Sequence, residues 1–88
     1  MIDLIKDFLK KSSIIEIRDN LNKDSTIYRR IGRNYKVEFS NGDKDFVNFQ
    51  ELLKILNDCS KDKDFTLIFY KNEENYEKGE KDFIIGKI

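Results

Sequence analysis

The sequence contains no histidine, no proline and no tryptophan, and Cys59 is its single cysteine. A zinc site built from cysteine and histidine is therefore excluded, because structural zinc needs four such ligands and catalytic zinc usually needs several. Cys–His and Ser–His catalysis are excluded as well, because no imidazole is present to take the proton. One cysteine cannot form an intramolecular disulfide, which fits a reducing compartment. Carboxylate, lysine and tyrosine chemistry stays open in principle, but we expect a protein that is not an enzyme and binds no metal or cofactor.

Long apolar runs and a signal sequence are also missing. No run approaches the roughly 18 residues of a membrane span, and Asp3, Lys6 and Asp7 interrupt the apolar N-terminus. Alanine is absent, whereas lysine, isoleucine and asparagine fill 33 of the 88 positions, which indicates an AT-rich coding genome. These features predict a cytoplasmic protein of an AT-rich bacterium, its phage or a mobile element, with no membrane partner.

Apolar residues are frequent enough for a folded core, since Ile, Leu, Val and Phe fill 28 of the 88 positions and disorder is expected below about 20%. The length fits one domain over residues 1–88. Apolar periodicity predicts its elements in this order: helix 2–11, strands 14–18, 26–31 and 35–39, helix 48 to about 60, and strands 65–70 and 83–88. Asn48 and Glu51 predict a capping box on the second helix. The order α-β-β-β-α-β-β predicts an α+β fold, in which two helices pack on one face of a mostly antiparallel sheet.

One short motif predicts a strand pairing. Asn41 and Gly42 lie between two alternating runs and favour a two-residue type I′ hairpin turn, because both central residues of that turn need positive φ. Such a turn pairs Val37 with Phe46. We therefore expect both of these side chains to face the core.

The first candidate site is a basic hairpin over residues 28–36. Three of the four arginines fall within five positions there, beside two tyrosines and a lysine: Tyr28, Arg29, Arg30, Arg33, Tyr35 and Lys36. Arginine binds phosphate or carboxylate through two parallel hydrogen bonds, and tyrosine stacks on bases or fills a pocket of a partner. The same residues also fit an exposed hairpin whose charges protect an edge strand from aggregation. For a binding site, protein is the preferred partner and nucleic acid the alternative.

The second candidate site is an acidic connection over residues 72–82, with five acids and two lysines around one tyrosine. Its candidate binding residues are Glu73, Glu74, Tyr76 and Glu77. A connection of this length in a small domain is often functional. The segment either mimics a run of phosphates toward a basic partner or is a hydrated loop.

The last predicted strand, residues 83–88, is apolar at positions that cannot all face one side. Side chains alternate between the two faces of a strand, so apolar residues of this segment lie on both faces and both must be shielded from solvent: Phe83, Ile84, Ile85 and Ile88. Either the domain covers both sides or part of the strand meets a second copy of the chain. A homodimer through this strand therefore stays an open prediction.

These observations predict a small, non-enzymatic module that binds a larger protein stoichiometrically. Its size, its lack of catalytic groups and its AT-rich coding fit an inhibitor or accessory factor of a phage or mobile element. A nucleic-acid-processing defence enzyme, inhibited in an anti-CRISPR-like manner, would suit surfaces of both charge signs. The alternative is a nucleic-acid-binding module that uses the basic hairpin.

Overall fold

The computed structural model describes residues 1–87, so Ile88 of the predicted last strand lies outside the described residues. The elements are α1 (Ile2–Lys10), β1 (Ile14–Asp19), β2 (Asp24–Ile31), β3 (Asn34–Glu38), β4 (Lys44–Asn48), α2 (Phe49–Ser60), β5 (Phe65–Tyr70), α3 (Glu73–Lys78) and β6 (Phe83–Ile85). The strands form one sheet in the order β4-β3-β2-β1-β5-β6. Every neighbouring pair is antiparallel. The predicted α+β class is confirmed.

The main core lies between one face of the sheet and the helices α1 and α2. Side chains alternate along each strand, so one set from the strands faces these helices. The buried members are Ile15, Ile17, Tyr28, Tyr35, Val37, Leu67 and Phe69 from the strands, and Ile5, Leu9, Leu52, Leu53 and Leu56 from the helices. Asn48 accepts a hydrogen bond from the backbone N–H of Glu51, whose side chain accepts one from the backbone N–H of Asn48. The predicted capping box is confirmed.

Two elements correct the predicted order, which in residues 1–87 is α-β-β-β-β-α-β-α-β. An additional strand, β4, lies between β3 and α2. An additional helix, α3, lies within the acidic connection over residues 72–82, for which no helix was predicted. The side chain of Asn72 caps α3 by accepting a hydrogen bond of 2.8 Å from the backbone N–H of Asn75. Sequence periodicity missed this helix because Tyr76 is its single apolar residue, which leaves no apolar stripe to detect.

The β3–β4 hairpin has a different turn and register from those predicted. The backbone N–H of Gly42 donates to the carbonyl of Phe39, and the N–H of Phe39 donates to the carbonyl of Asp43. This is a three-residue loop in which Gly42 has φ +91° and Asn41 has no positive φ, as in a turn followed by a left-handed glycine. Val37 therefore pairs with Asp45 instead of Phe46.

That shift by one residue moves every side chain of β4 to the opposite face. Phe46, predicted to lie in the core, is 61% exposed, whereas Val47 packs against the main core. Phe39, at the start of the loop, is exposed as well. The loop length thus decides which aromatic side chain reaches solvent.

The second face of the sheet is covered only in part. Ile14, Ile68 and Tyr70 form a second buried cluster there, and Tyr76 of α3 packs on it. In β6, Phe83 and Ile85 pack against the main core and Ile84 against the second cluster. Both sides of β6 are therefore covered within the domain.

Candidate binding face

The arginines of the predicted basic hairpin do not form one basic surface. Arg29 and Arg30 are consecutive in β2, so they lie on opposite faces of the sheet. Arg30 lies on the helix side, where its Nη2 donates to the carbonyl oxygen of Leu9 at 3.1 Å and to the hydroxyl of Tyr35 at 3.3 Å. The first of these bonds satisfies a carbonyl in the last turn of α1. Arg33 is exposed in the turn between β2 and β3.

The two tyrosines of this candidate site are core residues. Tyr28 is 5% exposed and Tyr35 is 1% exposed, because both side chains point toward α1 and α2. Burial raises the pKa of Tyr28 to about 12. Neither ring is accessible in this arrangement, so neither can stack on a base or enter a partner's pocket as it stands.

Arg29 connects the two candidate sites. Its Nε and Nη2 donate to the two carboxylate oxygens of Glu73 on α3, at 3.1 and 3.2 Å. Its Nη1 also donates to Glu38 on β3. The guanidinium lies 5.3 Å from the ring centroid of Tyr76, within cation–π range. The hydrogen bonds with Glu73, together with the charges of both glutamates, raise the pKa of Arg29.

The remaining residues of the acidic candidate site have separate roles. Tyr76 is half-buried, and its ring meets that of Tyr70 edge to face at 5.0 Å between centroids. Glu74 accepts a hydrogen bond of 2.8 Å from Lys78 one turn along α3. Glu77 is exposed. Of the four predicted residues, Glu73 and Tyr76 fix α3 to the sheet.

Beyond α3, the second face of the sheet is open, and we call this part the open face. Its residues come from β2, β3 and β4: Arg29, Ile31, Lys36, Glu38, Lys44 and Phe46. Arg29, Lys36 and Phe46 are directly opposite one another on adjacent strands. Phe46 is 61% exposed and Ile31 is 53% exposed. The sequence analysis did not identify Phe46 and Ile31 as site residues. Asn41 and Gly42 also permit a three-residue loop, and considering that loop would have predicted an exposed Phe46.

A concavity of about 410 Å³ separates the open face from α3. Its lining includes Ser13, Ile14, Arg29, Lys36, Glu38 and Asn72. Within residues 1–87, Arg29 forms ion pairs with Glu38 and Glu73, whereas Lys36 and Lys44 have no ion-pair partner. Together with Glu73, the open face therefore has one excess positive charge, although Lys44 lies opposite Glu38 in the strand register.

The free edge of β4 is less accessible than the face. The closing pair Phe39–Asp43 is hydrogen-bonded, so alternation turns the N–H groups of Lys44, Phe46 and Asn48 toward the outer edge. The N–H of Phe46 donates to the side chain of Asp45 at 2.8 Å, and the N–H of Asn48 donates to Glu51 at 2.9 Å. Two of these three donors are thus already satisfied. Such protection discourages the addition of another strand.

A buried carboxylate, Glu16, lies on the second face of the sheet, but its contacts are structural. Its Oε2 accepts hydrogen bonds from Ser25 at 2.7 Å and from Arg18, and its Oε1 accepts one from Tyr70 at 3.1 Å. Burial, followed by the charge of Glu16, raises the pKa of Tyr70 to about 12. The carboxylate is therefore fully engaged with its neighbours, as buried charges usually are.

Among residues 1–87 there is no group of three or more histidine, cysteine, aspartate or glutamate side chains that could hold a metal ion. None of the helices in the described chain has both the length and the apolar character needed to cross a membrane. Comparison with protein-family models, with curated proteins and with solved structures finds no match for this chain.

Proposed function

We propose that this chain is a non-enzymatic protein-binding module that acts stoichiometrically on a larger protein through its open face. The observation that carries the proposal is the exposure of Phe46 and Ile31 on a face that also presents Lys36 and Lys44, which have no ion-pair partner within residues 1–87. Aromatic residues are enriched at protein interfaces, and a few such residues usually supply most of the binding energy.

The contacts of the basic hairpin favour a protein partner over a nucleic acid. Binding to a phosphate backbone relies on unpaired positive charge and, for single strands, on exposed aromatic rings. Here Arg29 is neutralised by Glu38 and Glu73, and Tyr28 and Tyr35 are buried. The whole chain also has a formal net charge of zero. Nucleic-acid binding is therefore kept as the alternative, and the experiment below tests it.

The test is an affinity capture with two matched double variants. The open-face variant carries Ile31→Asp and Phe46→Asp, and the control carries Leu4→Asp and Leu21→Asp at apolar positions elsewhere on the surface, 45% and 73% exposed. Each immobilised protein is incubated with lysate of an AT-rich bacterium, in one sample untreated and in a second treated with nuclease, and the bound proteins are quantified by mass spectrometry. Circular dichroism checks that all variants are folded.

We expect the wild type and the control to retain a common protein that the open-face variant loses. Equal capture by both variants, or loss in the control alone, would place binding outside the open face and contradict the proposal. Recovery that disappears on nuclease treatment supports the nucleic-acid alternative instead. Inhibition of a nucleic-acid-processing defence enzyme stays a prediction. Identifying the captured protein and assaying its activity tests that prediction.

A further inference from the structure

The second face of the sheet already holds one acidic helix, its own α3. Tyr76 is the apolar anchor of that helix and packs on Ile14, Ile68 and Tyr70. Glu73 supplies the charge contact through its two hydrogen bonds to Arg29. The face therefore binds a helix through a carboxylate on a basic strand residue together with an aromatic anchor.

The open face has room for one more helix beside α3. Tyr76 packs on the cluster formed by Ile14 of β1 with Ile68 and Tyr70 of β5, which places the middle of α3 on the β1–β5 side of the second face. The middle of the β2–β3 pair is two strand spacings away, or roughly 10 Å at about 4.8 Å per strand. Packed helices lie about 8–10 Å apart. A second helix in contact with α3 would thus lie over β2 and β3.

The open face offers the same two kinds of contact that hold α3 on the sheet, namely basic groups and apolar surface. Lys36 and Lys44, which have no ion-pair partner within residues 1–87, take the place of Arg29 as basic groups. Phe46 and Ile31 provide exposed apolar surface. Since two of the three outward N–H groups of β4 are already satisfied, a partner gains little from pairing with the edge as a strand.

We propose that the open face binds an acidic amphipathic helix of the partner protein, which lies alongside α3. This inference rests on the proposed function and specifies its partner. The carboxylates of the helix contact Lys36 and Lys44, and an apolar or aromatic side chain packs on Phe46 and Ile31. This is helix-in-groove recognition, in which a helix lays its apolar face on an apolar surface.

The test titrates defined probes into the isotopically labelled full chain and follows backbone amide resonances by NMR. The first probe is a synthetic helix of about 20 residues, long enough to form in isolation, with leucine and tyrosine on one face and glutamate on the other. The second is the same peptide with lysine in place of every glutamate. The third is a single-stranded oligo(dT) of about 15 nucleotides. The protein variants are Lys36→Glu with Lys44→Glu, and the control Leu4→Asp with Leu21→Asp.

We expect the acidic peptide to shift the resonances of Lys36, Lys44 and Phe46, with an affinity at least about tenfold higher than that of the lysine peptide. The charge-reversed variant should invert this preference, and the control should keep it. Equal binding of both peptides, no binding of the acidic peptide, or perturbation of these resonances by oligo(dT) alone would overturn the inference. If the acidic peptide does not bind while affinity capture still depends on Phe46 and Ile31, this inference fails and the proposed function stands. If the acidic peptide does not bind and affinity capture does not depend on Phe46 and Ile31, both this inference and the proposed function fail.

Discussion

Arg29 and Glu73 lie 44 positions apart in the chain and are joined by two parallel hydrogen bonds, at 3.1 and 3.2 Å. This pairing gives a planar, directional contact that a lysine could not reproduce. It fixes the first turn of α3 against β2, while Tyr76 fixes the middle of the helix on the second cluster. The orientation of α3 determines how much of the second face stays open.

Glu73→Ala should loosen α3 more than Glu74→Ala does. Both residues are in the first turn of α3, but Glu73 pairs with Arg29 of the sheet, whereas Glu74 pairs with Lys78 of the same helix. Because Glu73 is half-exposed, we expect its loss to lower the free energy of unfolding by no more than about 1 kcal/mol. The effect of Glu74→Ala should stay below about 0.5 kcal/mol. Amide hydrogen exchange in residues 73–78 is the direct readout, and equal acceleration in the two variants would contradict the role of Arg29.

Phe46→Ala should leave stability nearly unchanged, which distinguishes the observed register from the one that the sequence predicts. With Phe46 61% exposed, we expect a loss of at most about 1 kcal/mol from cross-strand contacts. A core phenylalanine would instead lose about 3–5 kcal/mol. Leu56→Ala, at a fully buried position of α2, is the comparison and should lose about 2–5 kcal/mol. Urea denaturation measures both, and a Phe46→Ala loss as large as that of Leu56→Ala would rule out the three-residue loop.

Asn48→Ala should destabilise the protein by about 1 kcal/mol. The substitution removes the side-chain acceptor for the N–H of Glu51 at the start of α2. Gln50→Ala, at an exposed position of the same helical turn, is the control and should change the free energy of unfolding by less than about 0.5 kcal/mol. Thermal and urea unfolding report the difference; similar values for the two variants would show that the capping box contributes nothing.

The free energy of unfolding should fall as the pH rises above about 10. Tyr28 and Tyr70 have pKa values of about 12 in the folded chain, against an ordinary value of 10.0. A raised pKa favours the neutral phenol in the folded state, so this contribution is fully present below pH 10 and is lost between about 10 and 12. Tyr28→Phe should make that loss shallower. Urea denaturation from about pH 9 to 11.5 tests this, and identical slopes for wild type and variant would contradict it.

Local sequence determined the elements whose signals lie within a few residues of one another. The capping box of α2 needs only Asn48 and Glu51, and its apolar stripe follows from helical spacing. The alternation in β3 likewise places Val37 in the core. These features could be predicted because their signals depend on residues that are close together in the chain.

Tertiary structure decided the register of the β3–β4 hairpin and the layout of the binding face. Asn41 and Gly42 fit two turn types that differ by one residue, and burying Val47 instead of Phe46 selects between them. The helix α3 has one apolar anchor and gains stability from Arg29 and Tyr70 on distant strands, so apolar periodicity does not reveal it, although its cap Asn72 is a local signal. The alternating faces of β2 likewise send Arg29 and Arg30 to opposite sides, so two residues adjacent in the chain cannot share one surface.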